Sequence, residues 1–111
     1  MKGFGKEKEK NINRIAINKN SMIENAINYQ VAGNYSAAEK IYKILIKNGQ
    51  NDSTILNNYG LICKRSRRTE EARKLFQEAV NLYPDKPEGF CNLANYLYEE
   101  GDYIKAEKYA R

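Results

Sequence analysis

Apolar and small residues recur along this chain at a fixed interval of 34 positions. Met22, Leu56 and Phe90 form one apolar column, and four residues further on Ala26, Gly60 and Ala94 form a small one. Three residues beyond stand Tyr29, Cys63 and Leu97. A turn column follows at Gly33, Arg67 and Gly101, then Tyr35, Thr69 and Tyr103, then the alanines Ala38, Ala72 and Ala106, and finally Tyr42, Phe76 and Ala110. Spacings of three and four keep residues on one face of a helix, so each unit predicts two helices separated by a turn. Two helices approach to about 8–10 Å only where the side chains between them are small, and enlarging such a residue costs about 1–3 kcal/mol. The alanine column and Gly60 answer that requirement.

Local signals mark the ends. Ser21 with Glu24, Ser36 with Glu39 and Asp85 with Glu88 have the spacing of a capping box, and Thr69 precedes an acidic first turn of Glu70 and Glu71. Gly33, Gly49 and Gly101 suit the left-handed residue past a helix end, while Pro84 disfavours continuation through Tyr83. These signals predict helices over residues 21–32, 36–48, 53–66, 70–83, 86–100 and 103–111.

The columns in register, completed in the second unit by Ala79 and Pro84, resemble the tetratricopeptide repeat family. The resemblance implies an all-α fold, a right-handed superhelical stack of antiparallel helix pairs, with repeats at 19–52, 53–86 and 87–111, the last incomplete. The second repeat fits the pattern best. The first has Asn25 where a large apolar residue is usual and Gln50 where proline is usual.

Charge separates the N-terminus from the repeats. Lys2, Lys6, Lys8, Lys10, Arg14 and Lys19 against Glu7 and Glu9 give the first twenty residues +4 of the chain's net +5. With few large apolar residues before Ile12, residues 1–18 read as a basic, disordered leader with at most a short helix around Ile12, Ile15 and Ala16. The repeats are nearly neutral, yet residues 64–74 hold Lys64, Arg65, Arg67, Arg68, Arg73 and Lys74 against two glutamates. That segment is either a solvated turn or a basic rim for an acidic peptide or phosphate. Nucleic acid is disfavoured because no aromatic residues interleave the basic ones.

Stacked helix pairs curve, and the first helix of each pair lines the hollow. Carried over by resemblance, the groove-facing positions are Asn20, Ile23, Ile27, Gln30 and Val31 in the first repeat. They are Thr54, Asn57, Asn58, Leu61, Lys64 and Arg65 in the second, and Glu88, Cys91, Asn92, Asn95, Tyr98 and Glu99 in the third. Asn57, Asn58, Asn92 and Asn95 each donate and accept, so they suit the backbone of an extended peptide, beside an apolar strip of Ile23, Ile27, Val31 and Leu61. An equally simple reading makes them a solvated face of an asparagine-rich chain. Chaperone-binding relatives grip a C-terminal carboxylate with basic residues at columns that here hold Ile23, Glu88 and Asn92, so only Asn58 matches that clamp.

The expected function is therefore a non-catalytic scaffold for a peptide or protein partner. The alternative is a substrate-docking arm of a longer enzyme, since arrays of this family often precede transferase domains, including those that glycosylate proteins. Nothing in the chain suggests a catalytic site, metal or cofactor: histidine is absent, adjacent pairs such as Glu99 and Glu100 point apart on a helix, and Cys63 and Cys91 lack zinc spacing. Two unpaired thiols suit a reducing compartment, and with no apolar run of membrane-spanning length a cytoplasmic location is the expectation. Ile104, Tyr109 and Ala110 lie at an edge that either continues into further repeats or is covered by self-association.

Overall fold

A computed structural model of the chain describes the backbone of residues 4–110 and the side chains of residues 18–110. Among the described residues it is all helix and connecting turn: α1 (Phe4–Val31), α2 (Tyr35–Lys47), α3 (Ser53–Arg65), α4 (Thr69–Leu82), α5 (Pro87–Glu99) and α6 (Tyr103–Ala110). The chain divides into two compact units, one ending at Leu45 and the other beginning at Ile46.

In the first unit α1 begins at Phe4 rather than at residue 21, so backbone expected to be a disordered leader is helical from Phe4 onward. Once nucleated, a helix runs until something stops it, and no proline occurs before Val31. The basic side chains of that leader up to Arg14, like Arg111, lie outside the described residues. Ala26, Ala38 and Tyr42 are fully buried, and the Tyr42 hydroxyl donates to Gln30 Oε1 at 3.0 Å, tying α2 to α1.

The second unit packs α3 on α4, α5 on both, and α6 on α5. Gly60 lets α4 approach, because a Cβ there would stand 2.5 Å from Cε1 of the buried Phe76. Gly89 does the same for α5, where a Cβ would meet Val80 Cγ2 and the Val80 backbone nitrogen at 3.3 Å. Phe76 meets Tyr96 of α5 edge to face, ring centroids 6.5 Å apart, so one aromatic ring serves two helix contacts. Burying a side chain of that size contributes about 1.5–3 kcal/mol.

Three turns share one geometry. Asn34, Arg68 and Asp102 donate their backbone N–H to Tyr29, Cys63 and Leu97 at 2.8 Å, and the residue before each donates to Gln30, Lys64 and Tyr98 at 3.0–3.1 Å. This double bond pattern closes a helix with one left-handed residue. Gly33 and Gly101 take it at φ 83° and 86°, as expected, whereas the third is Arg67 at φ 62°. Helix starts depart from expectation. Asn34 Oδ1, not Ser36, accepts the Ala37 N–H at 3.2 Å, because the turn at Gly33 delivers the chain to Asn34. Lys86 rather than Asp85 stands at the N-cap position of α5, without a side-chain capping bond and with Pro87 in the first turn, and Ser21 lies inside α1. Asp102 caps α6 through the Lys105 N–H at 3.3 Å.

Candidate functional site

A hollow of the second unit lies between the first halves of α3 and α5 and has a volume of about 460 Å³. Ser53, Thr54, Asn57, Asn58 and Leu61 line it from α3, and Lys86, Pro87, Glu88, Cys91 and Asn92 from the start of α5. The two helices run in the same direction, since two side-chain links between them join residues 35 apart: Asn57 with Asn92, and Lys64 with Glu99.

Asn57 is 4% exposed, and its amide is committed. Its Nδ2 donates to the Ser53 carbonyl at 2.9 Å and to Ser53 Oγ at 3.1 Å, and its Oδ1 accepts from Asn92 Nδ2 at 3.0 Å. A buried amide left without partners would cost about 1–3 kcal/mol, so this chain of bonds is what allows an asparagine inside. Asn58 and Leu61 are half-buried on the cleft wall, and the Cys91 thiol is exposed there.

The remaining residues singled out in the sequence fall elsewhere. Lys64 Nζ pairs with Glu99 Oε1 at 3.0 Å across α3 and α5, while Arg65 is exposed near the end of α3. Asn95 and Tyr98 belong to a second hollow of about 360 Å³, with Ala94, Tyr103, Ala106, Glu107 and Ala110, where the Tyr98 and Tyr103 rings meet edge to face at 4.9 Å. In the first unit Ile23, Ile27 and Gln30 are half-buried and Val31 is 83% exposed. Ser53, Lys86 and Pro87 were not among the positions carried over; a serine four residues before an asparagine is a signal that could have drawn attention to Ser53.

The basic segment is offset in part by an acid from another helix. Besides Lys64 with Glu99, Arg68 faces Glu71 at 3.5 Å and Arg73 faces Glu70 at 2.9 Å. The hydrogen bond from Arg73 holds the Glu70 carboxyl below its ordinary value and raises Arg73 in turn. Burial pushes the Tyr96 phenol up, and the carboxylates of Glu100 and Glu70 add to it. Glu99 of α5 offsets one charge of the segment, while Arg65, Arg67 and Lys74 are exposed, so an excess of positive charge persists around the α3–α4 turn.

No cluster of potential metal ligands occurs among the described residues, and none of their helices is long and apolar enough to cross a membrane.

Comparison with known proteins agrees with the helix pairing. A tetratricopeptide repeat family model matches residues 23–87, more than half of the chain, and a second matches residues 75–108. The chain belongs to the tetratricopeptide repeat family. It is 30% identical over 93 residues to a TPR repeat-containing protein of Dictyostelium discoideum, an alignment covering 81% of this chain. The chain spans 35% of the length of that relative. Tetratricopeptide repeats are protein-interaction modules, and the cleft between α3 and α5 lies between the first helices of two successive repeats.

Proposed function

We propose that the chain is a non-catalytic interaction module whose α3–α5 cleft holds an extended segment of a partner protein. The observation that carries this reading is the lining of the cleft: the amides of Asn58 and Asn92 stand beside the apolar Leu61 and the thiol of Cys91, in an open hollow of about 460 Å³. Side-chain amides match peptide groups in both donor and acceptor, so they hold a backbone with little demand on sequence, while the apolar wall takes a side chain. The membership of a family of interaction modules supports the same reading.

Selection from a library of random 12-residue peptides tests it. The intact chain is expected to enrich a set of peptides, an Asn58→Ala/Asn92→Ala variant to lose them, and a Glu78→Ala variant on exposed α4 to keep them. Peptides retained with unchanged affinity by the double variant would place binding elsewhere.

A further inference from the structure

The hydrogen bonds beneath the cleft have a direction, and that direction determines what the cleft offers a ligand. Ser53 contributes a backbone carbonyl, a group that only accepts, so the side chain of Asn57 must turn its Nδ2 toward it. That leaves Asn57 Oδ1 facing Asn92, and Asn92 must answer with its own Nδ2. One carbonyl of α3 thus fixes the orientation of an amide on α5. Reversing either amide would set two acceptors against each other inside the unit, at a residue only 4% exposed.

Among the described residues Asn92 makes no other hydrogen bond, so it retains one N–H and its Oδ1. In an extended chain the N–H and C=O of one residue point to the same side, and a group offering one acceptor and one donor meets both. An ionised carboxylate only accepts, so a chain terminus would satisfy the donor and stand unpaired against Oδ1. The charges at the cleft do not reverse that preference, because Lys86 and Glu88 are of opposite sign.

We infer that Asn57 is a positioning residue for Asn92, and that the oriented Asn92 amide selects an internal, extended stretch of polypeptide rather than a C-terminal carboxylate. This rests on the peptide-binding reading of the cleft. It also goes further, since a cleft with freely rotating amides would take either ligand.

The test uses the intact chain and a peptide taken from the 12-residue library, synthesised with a C-terminal amide, with a free acid, and with each backbone nitrogen methylated in turn. Amide and acid are expected to bind within about twofold of each other, and methylation at one nitrogen to weaken binding by about three- to tenfold, the worth of one hydrogen bond. Asn92→Ala should weaken binding by the same factor and abolish the penalty of that methyl group, and Asn57→Leu should reproduce both effects. Glu78→Ala, on the exposed face of α4, should leave affinity and methyl sensitivity unchanged. Should Asn57→Leu fail to fold, the parent still decides: one Asn92 side-chain amide proton is expected to exchange slowly and stay in place when peptide is added, while the other shifts. Enrichment of no peptide would overturn the cleft reading together with this one. A free acid preferred more than about tenfold, equivalent Asn92 protons, or full methyl sensitivity in Asn57→Leu would overturn this inference alone.

Discussion

The α3–α4 and α5–α6 pairs carry the same columns 34 residues apart and bury them unequally. Gly60 and Ala94, and likewise Ala72 and Ala106, are buried in both pairs, because those positions face the partner helix within the pair. Further along α4 and α6 the pairs diverge: Phe76 is fully buried, and its counterpart Ala110 is exposed. Lys64 bridges to Glu99, and its counterpart Tyr98 stands 64% exposed. The cause is α5, which lies on both α3 and α4, whereas the matching face of α5 and α6 lines the hollow of Ala94, Tyr98, Tyr103 and Ala106. In a repeat, a column's burial is a property of its neighbour as much as of its residue.

Substitution at matched positions should expose that asymmetry. Phe76→Ala removes a ring that serves both α3–α4 and α4–α5 packing, and should cost about 3–5 kcal/mol in urea unfolding; Ala110→Gly, in the same column, should cost no more than about 1 kcal/mol. Equal losses would mean the two pairs are covered alike. Gly60→Ala drives a methyl into Phe76 and should cost about 1–3 kcal/mol despite alanine's better helix propensity.

The turns give a smaller effect of opposite sign. Arg67 holds at φ 62° the left-handed conformation that Gly33 and Gly101 adopt in the equivalent turns. A side chain in that region costs about 1–2 kcal/mol, partly offset by the greater freedom glycine loses on folding. Arg67→Gly should therefore raise stability by up to about 1 kcal/mol, and Gly101→Ala should lower it, both read from thermal melts. A lower melting temperature for Arg67→Gly would show that the arginine contributes contacts outweighing its strain.

The weakest expected effect is a pH dependence confined to the alkaline range. Tyr96 has a raised folded-state value, so its contribution to stability is present below the ordinary phenol value of about 10 and is lost as pH climbs from there through the folded value. Stability should decline over that window in the parent and decline less in Tyr96→Phe. Identical slopes would mean that the buried phenol makes no distinct contribution.

Much of the fold was legible because its determinants repeat. Gly33, Gly101, Gly60 and the three alanines mark turns and helix crossings wherever they occur in the register. What escaped depended on partners distant in sequence or on small local choices. Asn57 looked like one more groove-facing amide, and only Asn92, 35 residues away, reveals why it is inside. One charge of the positive run at residues 64–74 is met by Glu99, which lies on another helix. Asn95 and Tyr98 share a helix with Asn92 yet face a different hollow, which a list of columns does not separate. The N-cap positions fall at Asn34 and Lys86 rather than Ser36 and Asp85 because the preceding turn, not the capping motif, fixes where the helix begins. The early start of α1 had no positive signal at all, only the lack of a proline to stop it.

The most direct test of the account is nuclear magnetic resonance mapping of the isotopically labelled chain during titration with a library-selected peptide. The account predicts that shifts concentrate on Asn58 and Leu61 of α3 and on Cys91 and Asn92 of α5, the side chains that share one cleft. Shifts centred instead on the exposed faces of α4 and α6, around Glu78 and Lys105, with the cleft signals unmoved, would contradict it.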